Sequence, residues 1–409
     1  MQKRCFCDTN VLMDYSQEIL EFYDKVFISG YVLGELDKHK SQSIDLTRQF
    51  KARETGRNLE KYKDKVEYII RSGSFSLPLE FSDEGIDNKI LQVFKDFYIN
   101  NTDVVGLSND LLFREKCKFL KLPCEKFEGL NTEKYMGYKT IEMTEDELAK
   151  WYEDKEKKNN YWNLNINEYL LLKVNNDIID KYRWTSSGFK IVAKKDFKSV
   201  MFGSLKPKDV YQEICIDSLH NNQFTVITGK QGSGKSLCSL MYIMWAIANQ
   251  KYDSCVIMYN PTKVRGAVDM GFCGGNVLEK GMQQFIGNML ISKFGDKDTV
   301  MDLINKNTLR LVPMSDSRGM EIANNQILYI TEAQNTTSDL LKIALSRCSK
   351  ESKIIIEGDP YQQVDKEIFV GKNNGLLKAI EVFKGEDMFG CVHLPNIHRS
   401  KIADIADKM

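Results

Sequence analysis

Net charge, proline, histidine and long apolar runs are all scarce in this 409-residue sequence. Its 57 lysines and arginines balance 57 aspartates and glutamates, which excludes a general polycationic nucleic-acid coat, because such binding needs excess positive charge to neutralise phosphates. The longest apolar stretch, residues 237–248, is shorter than the ~20 residues that span a bilayer. The first ten residues lack the apolar core of a signal peptide, so we expect a cytoplasmic protein without a membrane partner.

Metal-binding spacings of cysteine and histidine are also absent from the sequence. The ten cysteines are scattered, no two are separated by two residues, and the four histidines add no zinc pattern. We therefore expect reduced thiols that pack as small apolar side chains. A hydrophobic fraction of 42% with 28% charged residues is typical of globular domains.

The length predicts two or three domains, and the apolar segments indicate where they lie. Over residues 1–130 short apolar strands alternate with helical patterns, which predicts an α/β domain with a mostly parallel sheet; 5–11 is expected as a strand and 34–71 as helix. Residues 131–200 contain alternating segments joined by turns and predict a small β-rich connector. A second α/β pattern fills residues 201–409, whose buried strands end in polar residues, as at the ligand-binding edge of parallel sheets.

A glycine-rich loop between a predicted strand and a predicted helix carries the clearest chemistry. Residues 229–236, GKQGSGKS, fit the G-x-x-x-x-G-K-S pattern, whose backbone N–H groups wrap the phosphates of a nucleotide. We expect Lys235 to reach the β and γ phosphates and Ser236 to bind Mg²⁺. A chance glycine-rich turn would not explain the flanking strand and helix. The expected phosphate-binding residues are Gly229, Lys230, Gln231, Gly232, Ser233, Gly234, Lys235, Ser236 and Leu237.

Two further predicted strands end in residues suited to nucleotide hydrolysis. The strand at 327–330 precedes Thr331 and Glu332, and we expect Glu332 to orient and polarise the attacking water. The strand at 353–356 precedes a polar group that contains Glu357, Asp359 and Gln362. The arginines that are candidates to neutralise charge in the transition state are Arg318, Arg347 and Arg399. Each arginine is equally consistent with a solvated or salt-bridged surface residue.

From about residue 202 onward the chain resembles the PhoH-like family, P-loop ATPases related to superfamily-one helicases. The glycine loop matches the family's phosphate motif, and residues 332–335 match its E-A-Q-N box. The other matches, in chain order, are Gly203, Lys206, Pro207, Gln212, Pro261, Gly271, Gly275, Glu279, Lys280, Arg318-Gly319, Arg347, Ser352-Lys353, Gly358-Asp359-Pro360, Gln362, Arg399-Ser400 and Ala403. The resemblance implies that ATP is the nucleotide and that Gln212 reads its adenine. It also implies that the nucleotide and its Mg²⁺ lie near Thr331, Glu357, Asp359 and Gln362.

Three positions depart from the pattern of that family. Thr331 stands where the family has Asp, Glu357 where it has Thr, and Asn260 where an Arg is expected. The strands that carry Thr331 and Glu357 are neighbours in this class of ATPase. We therefore hypothesise that a carboxylate and a hydroxyl have exchanged places and that Glu357 supplies the carboxylate near Mg²⁺. The alternative is an ATPase weakened by loss of the aspartate.

Four acids lie at the ends of predicted elements within residues 1–130. Asp8 and Asp110 each follow a strand, whereas Glu35 and Asp87 each open a helix. Carboxylates from separate elements can converge on hard cations such as Mg²⁺ or Mn²⁺, and two such ions can activate a water for phosphodiester hydrolysis. Taken singly, each acid is also typical of a helix N-cap or a solvated charge. The nearby competing acids are Asp14, Asp37 and Asp103.

The order of these short motifs resembles the PIN domain, a metal-dependent ribonuclease fold, over about residues 1–130. D-T-N-V-L is followed by V-L-G-E-L-D-K, D-N-K-I-L and S-N-D. A PIN domain before a PhoH-like ATPase is a known fusion. The resemblance implies metal binding by Asp8, Glu35, Asp87 and Asp110, catalysis by Asp8 and Asp110, and support from Asn10 and Ser108. Residues 38–71 hold ten lysines and arginines against five acids, which suits either an RNA backbone or a solvated pair of helices.

Together the two resemblances imply an RNA-processing protein, in which the ATPase grips, moves or unwinds RNA with ATP·Mg²⁺ and the PIN domain cuts it. PhoH-like ATPases are similar to ring-forming ATPases, which implies a homo-oligomer, a hexamer, in which Arg399 or Arg347 acts on a neighbour's ATP. Two alternatives stay open. In one, the PIN domain binds RNA without cutting and the ATPase is a remodelling module. In the other, the protein is a translocase or nuclease that acts on DNA.

Overall fold

A computed structural model of the chain describes residues 3–43, 46–70, 76–81, 85–127, 134–154, 159–194, 197–199, 203–261, 285–360, 369 and 373–398. The chain divides into two compact units, residues 1–133 and 134–409. The α/β fold class is confirmed, because each unit contains a parallel sheet with helices between its strands.

The first unit is a parallel sheet with helices in its crossover connections. Its strands are β1 (Arg4–Cys7), β2 (Lys25–Ser29), β3 (Val66–Ile69), β4 (Val104–Leu107) and β5 (Cys124–Glu125). Its helices are α1 (Thr9–Phe22), α2 (Gly30–Gln42), α3 (Leu46–Lys61), α4 (Ile86–Tyr98) and α5 (Leu111–Phe119). The strand order is β3-β2-β1-β4-β5, with parallel pairing throughout. The order places the carboxyl ends of β1, β2 and β4 side by side at one edge of the sheet.

Three expectations for the first unit are wrong in detail. The strand expected at 5–11 ends at Cys7, because the Asp8 side chain accepts the Thr9 amide and caps α1. The helix expected to open at Glu35 begins at Gly30, with Ser29 as its N-cap. The polar segment expected as helix through residue 71 contains β3, which pairs with β2 and has an exposed outer face.

The second unit begins with a small β-module, defined here as residues 134–199. Its strands are β6 (Tyr138–Glu142), β7 (Tyr169–Val174), β8 (Asp177–Thr185) and β9 (Gly188–Ile191), and its helix is α6 (Glu145–Asp154). The order is β6-β7-β8-β9, with β6 parallel to β7 and the other pairs antiparallel. A short hairpin of β10 (Phe197–Ser199) and β11 (Gly203–Leu205) follows.

The rest of the second unit is a six-stranded parallel sheet flanked by helices. Its strands are β12 (Phe224–Gly229), β13 (Ser254–Tyr259), β14 (Leu309–Pro313), β15 (Gln326–Ile330), β16 (Lys353–Gly358) and β17 (Phe389–Leu394). The described helices are α7 (Val210–Asn221), α8 (Lys235–Ala248), α9 (Phe285–Phe294), α10 (Lys297–Asn305), α11 (Ser338–Leu345) and α12 (Gly375–Phe383). The strand order β14-β13-β15-β16-β12-β17 places β15 and β16 next to each other and β16 next to β12.

Alternate residues of these central strands enter two different cores. Ile227, Tyr329 and Ile355 face the core that α7 and α8 complete. Val226, Leu328 and Ile356 face the core that α11 and α12 complete. Both faces are covered, as in other doubly wound sheets, so the middles of these strands are mainly apolar, and Thr331 and Glu357 stand at the carboxyl edge.

Candidate nucleotide site and acidic site

The phosphate loop joins β12 to α8 and depends on glycine at three positions. Gly229, Gly232 and Gly234 have φ angles of 145°, 94° and 100°, a region that side chains disfavour. A Cβ on Gly229 would lie 2.5 Å from the Leu394 carbonyl oxygen, and one on Gly234 would lie 2.8 Å from Gln212 Nε2. The glycines therefore allow both the turn and the close approach of neighbouring groups.

The Lys235 ammonium lies within this loop. Its Nζ donates to the carbonyl oxygens of Gly229, at 2.6 Å, and Lys230, at 3.0 Å. An ammonium held by loop carbonyls is positioned where the loop would enclose phosphates, as expected from the sequence.

Glu357 is the buried carboxylate of the site and is 1% exposed. Its Oε1 accepts from Ser236 Oγ at 2.7 Å and from Thr331 Oγ1 at 3.0 Å, and its Oε2 accepts from Ser239 Oγ at 3.1 Å. Burial raises the pKa of the nearby Tyr329 hydroxyl, and the Glu357 charge raises it further. The carboxylate thus has three hydroxyl donors, one of which is the serine of the phosphate motif.

The register of the sheet explains why Thr331 and Glu357 meet. Ile330 of β15 pairs with Ile356 of β16, so the residues that follow them stand side by side at the carboxyl edge. A carboxylate on either strand would reach the same place. The arrangement agrees with the exchange hypothesis in its geometry, whereas the role of Glu357 remains a prediction.

Glu332 adopts a left-handed backbone conformation directly after β15, with φ of 51°. Its Oε2 accepts from Gln334 Nε2 at 2.5 Å, and Gln334 Oε1 accepts from the Asp359 amide at 3.1 Å. A left-handed conformation in a non-glycine residue costs roughly 1–2 kcal/mol and is common at functional sites. Gln334 therefore connects the two strand ends and fixes the direction of the Glu332 carboxylate.

Gln212 approaches the phosphate loop from the first turn of α7. Its Nε2 donates to the Ser233 carbonyl oxygen at 3.2 Å, and its Oε1 accepts from the Lys208 amide at 2.9 Å. Asp209 caps the helix and its Oδ2 lies 2.8 Å from His398 Nε2. The His398 amide also donates to the Gly232 carbonyl oxygen at 3.1 Å.

The remaining residues expected at the nucleotide site lie in several different places. Arg347 lies at the amino edge of the sheet, where its carbonyl accepts from the Ile322 amide, whereas the phosphate loop begins at the opposite, carboxyl edge. Arg318 is exposed beside Gly319, and Leu237 packs on the core at the start of α8. Lys230 and Gln231 are exposed on the loop. The residues that lie outside the described ranges are Gly271, Gly275, Glu279, Lys280, Gln362, Arg399, Ser400 and Ala403.

Sequence reasoning missed several residues of the nucleotide site. They are Asp209, Ser239, Gln334 as a bridge, and His398. Asp209 had a local signal, since an aspartate before a helical pattern is typical of an N-cap. Ser239 lies one turn after Ser236 on α8, but its role depends on Glu357 of a distant strand. His398 had no local signal, because it reaches the loop only through the strand β17 that precedes it.

Asp8 is the most buried of the described acids in the first unit, at 4% exposure. Its Oδ1 accepts from the Thr9 amide at 2.7 Å and its Oδ2 accepts from Ser108 Oγ at 2.8 Å. Burial raises the pKa of Asp8 to about 6; the two hydrogen bonds oppose this shift, and the charges of Asp87 and Glu35 add to it. A nearby cation would reverse the effect of burial by stabilising the ionised form.

Glu35 and Asp110 are each linked to the surroundings of Asp8 by one hydroxyl, whereas Asp87 lies exposed in the first turn of α4. Thr9 Oγ1 donates to Glu35 Oε2 at 2.5 Å, which links the second turn of α2 to the start of α1. Asp110 caps α5 by accepting the Phe113 amide at 3.0 Å, and its own amide donates to Ser108 Oγ at 3.1 Å. Within the described part of the chain, no three histidine, cysteine, aspartate or glutamate side chains stand close enough together to hold a metal ion.

Two of the alternative candidate acids, Asp14 and Asp103, form ion pairs with basic residues. Asp14 pairs with Lys51 Nζ at 2.7 Å. Asp103 accepts two bonds of 2.8 Å from Arg4 at the amino edge of the sheet, and this guanidinium lowers the pKa of Asp103. Asp37 is exposed on α2, as is Asn10 on α1. None of these contacts links Asp14 or Asp103 to Asp8.

A basic groove runs between α2 and α3. It is lined by Lys40, Ala52, Arg53, Gly56, Arg57, Glu60 and Lys61 and has a volume of about 680 Å³. Its three α3 cations recur every four residues, so they share one face of the helix at intervals of roughly 6 Å. The basic stretch expected from the sequence thus presents an ordered row of positive charge.

Comparison with known proteins relates each unit to a family. A PhoH-like protein family model matches residues 204–407, and a PIN domain model matches residues 5–128. The chain is 27% identical to Protein PhoH2 of Bacillus subtilis, with 99% of both chains covered. It is 23% identical to Protein PhoH2 of Thermobispora bispora, over 83% of this chain and 80% of that one. The large terminase of a thermophilic bacteriophage matches over 50% of each chain at 14% identity, with a TM-score of 0.32.

The phosphate loop, the parallel sheets and these matches define a P-loop NTPase preceded by a PIN domain. The chain belongs to the PhoH-like proteins, as a PIN–PhoH fusion. Among its described helices, none has the length and apolarity needed to cross a membrane.

Proposed function

We propose that this protein couples ATP hydrolysis to RNA processing, with the second unit hydrolysing ATP and the first cutting RNA in a metal-dependent reaction. The observation that carries the proposal is the buried Asp8 carboxylate, with Glu35 and Asp87 in electrostatic range, on a chain that also has a complete phosphate loop. A carboxylate whose pKa is raised by burial and by other acids is typical of functional sites.

The nucleotide site contains oxygen donors that suit Mg²⁺. Ser236 and Glu357 supply a hydroxyl and a carboxylate, the hard ligands that this ion prefers. The ion would neutralise charge on the phosphates, Lys235 would bind the phosphates, and Glu332 would orient the attacking water. We further propose that Asp359 and Gln362 border the nucleotide.

We propose that the acidic site binds a divalent cation through its carboxylates. Asp8, Glu35, Asp87 and Asp110 are carboxylates that suit Mg²⁺ or Mn²⁺, and the ion would lower the pKa of a bound water. Ser108 holds Asp8 and the Asp110 amide through one hydroxyl, so it sets the spacing between two of these acids. The basic groove would hold the phosphate backbone of the substrate.

Cleavage of end-labelled single-stranded RNA in Mn²⁺ or Mg²⁺ tests the proposal. We expect the wild type to cut, Asp8→Asn to lose at least about a hundredfold in rate, and EDTA to abolish the reaction. Asp103→Asn is the matched control, since it removes an exposed carboxylate at the opposite edge of the same sheet. Wild-type cutting that persists in Asp8→Asn would refute the assignment, and preferential cutting of a DNA of the same sequence would favour the DNA-acting alternative.

The non-cleaving alternative has one observation in its favour. Among the described residues, the acids of the first unit are not gathered into a group of three that fits a metal ion. If the protein binds RNA but metal produces no cleavage, the PIN domain acts as a binding module beside an ATPase that remodels RNA.

The proposed assembly is a cytoplasmic homohexamer. Arg347 lies before the amino end of β15, so at least the length of that strand, roughly 15 Å, separates its backbone from the carboxyl edge where the phosphate loop begins. If Arg347 takes part in hydrolysis, it would therefore act on the ATP of a neighbouring subunit. In the proposed ring, Arg399 would also act on a neighbour's ATP. Sedimentation velocity with and without ATP measures the assembly, and a monomer under both conditions would contradict it.

A further inference from the structure

The β-module contacts α7 along most of that helix. Lys181 Nζ lies 2.6 Å from Glu213 Oε2, and Arg183 Nε lies 3.5 Å from Asp217 Oδ2. Tyr169 OH donates to the same Asp217 oxygen at 3.1 Å. These groups are mostly buried, with exposures of 21% and 13% for the first pair and 11% and 8% for the second. Water therefore screens these pairs less than it screens surface ion pairs.

The spacing of the two ion pairs matches a strand to a helix. Lys181 and Arg183 are two residues apart on β8, so they project from one face and are separated by about 6.6 Å. Glu213 and Asp217 are four residues apart on α7, so they share one face and are separated by about 6 Å. The strand and the helix therefore carry complementary charges at the same interval.

The two ends of α7 are fixed by different parts of the second unit. At its carboxyl end Lys353, which is 1% exposed, donates to the carbonyl oxygens of Leu219 and Asn222. At its amino end Gln212 donates to the phosphate loop. Between these ends, Ile214 and Leu219 pack in the core that α8 shares, and the ion pairs with the β-module hold another face of the helix.

A second attachment connects the β-module to β17. Asn167 Nδ2 donates to the carbonyl oxygens of Asp387 and Phe389, at 2.8 and 3.0 Å. Gly137 has φ of 79°, and a Cβ there would lie 1.7 Å from the Cys391 carbonyl oxygen, so the backbones are in close contact. The module is thus attached to α7 and to β17, and β17 pairs with the strand that leads into the phosphate loop.

We infer that the β-module is a positioning element of the nucleotide site and that Lys181 and Arg183 set the affinity for ATP by holding α7 in place. Gln212 uses one donor hydrogen on Ser233 and one acceptor lone pair on the Lys208 amide. An amide has a second donor and a second acceptor, the pair that recognises the N6 and N7 edge of adenine. A shift of α7 weakens this recognition, so Lys181 and Arg183 also set the preference for ATP over GTP.

The inference rests on the proposed role of the second unit as an ATPase. Equilibrium binding of ATP and GTP tests the inference separately from that role, because binding does not require hydrolysis. In Lys181→Gln we expect Kd for ATP to rise about fivefold or more, with a smaller change for GTP. Lys181→Arg should restore both values, because it retains the positive charge beside Glu213. Lys190→Gln, on an exposed position of β9, is the matched control and should equal the wild type.

Turnover and thermal unfolding complete the experiment. We expect kcat at saturating ATP to stay within twofold of the wild type in Lys181→Gln, because the hydrolytic groups lie on other elements. Unchanged Kd and unchanged ATP-to-GTP preference in Lys181→Gln would overturn the inference. A lower Tm together with an equal weakening of ATP binding and GTP binding would also overturn the inference, since it would show a purely structural role. A wild type that binds ATP without hydrolysing it would refute the proposed ATPase while leaving the binding comparison intact.

Discussion

Exchanging Thr331 and Glu357 tests whether the nucleotide site needs a carboxylate at one point in space, whichever strand carries it. Thr331 Oγ1 and Glu357 Oε1 are 3.0 Å apart, and both residues are 1% exposed. The double variant Thr331→Asp/Glu357→Thr therefore moves the charge by only a few ångströms. We expect this double variant to retain ATP turnover within about tenfold of the wild type.

The single variants are expected to be much worse, for two different reasons. Glu357→Ala removes the carboxylate that Ser236 contacts, which should lower kcat by about 10²–10³. It also leaves three hydroxyls without their acceptor, at roughly 1–3 kcal/mol for each one left unpaired. Thr331→Asp places two carboxylates about 3 Å apart, and at an effective dielectric constant of 20 they repel by about 5 kcal/mol. Thr331→Asp should therefore unfold at lower temperature in EDTA, and the double variant should recover.

The assay is a double-mutant cycle of the wild type, Thr331→Asp, Glu357→Thr and the double variant, with Glu357→Ala measured beside them. ATP turnover at saturating Mg²⁺ and thermal unfolding in EDTA are measured on each protein. Glu351→Ala is the control, because Glu351 is an exposed carboxylate just before the amino end of the strand that carries Glu357. Normal turnover in Glu357→Ala would refute the reasoning. So would a double variant as inactive as the product of its singles, since that would show that the two positions are not coupled.

Three other predictions follow from single contacts. Glu332→Gly should abolish hydrolysis. It should also raise the free energy of unfolding by about 1 kcal/mol, because glycine adopts φ of 51° without strain. A loss of stability in denaturant titrations would contradict this prediction. The pKa of Asp8 is raised from 3.8 to about 6, so in EDTA its ionisation destabilises the native state as pH rises from about 4 to 6. Asp8→Asn should then gain up to about 3 kcal/mol relative to the wild type between pH 4 and 7, and a Tm difference independent of pH would refute it. Arg57→Gln should reduce the slope of log K against log salt for single-stranded RNA by about 0.7, whereas Lys118→Gln, on the exposed face of α5, should leave the slope unchanged.

Features that are encoded within one short segment could be predicted from the amino-acid sequence. The phosphate loop is such a feature, because its glycines, Lys235 and Ser236 are consecutive and the flanking apolar segments predict the strand and the helix. The α/β class and the two family resemblances were readable for the same reason. The short polar strand β3 was missed, because its exposed residues follow no alternating pattern and its pairing with β2 is a tertiary contact.

Strand order and sheet register determine which distant residues share a site. Strand order brings Glu357 to Ser236, a contact between residues 121 positions apart, and it places Arg347 at the opposite edge of the sheet. The ion pairs between β8 and α7 show that the segment expected as a connector contacts the helix that carries Gln212. The physical reason is that local patterns determine where strands and helices form, whereas register and crossover order determine which strand ends and helix faces meet. The sequence therefore determined the phosphate loop and the class of fold, and the packing of the sheet decided which carboxylate stands beside that loop.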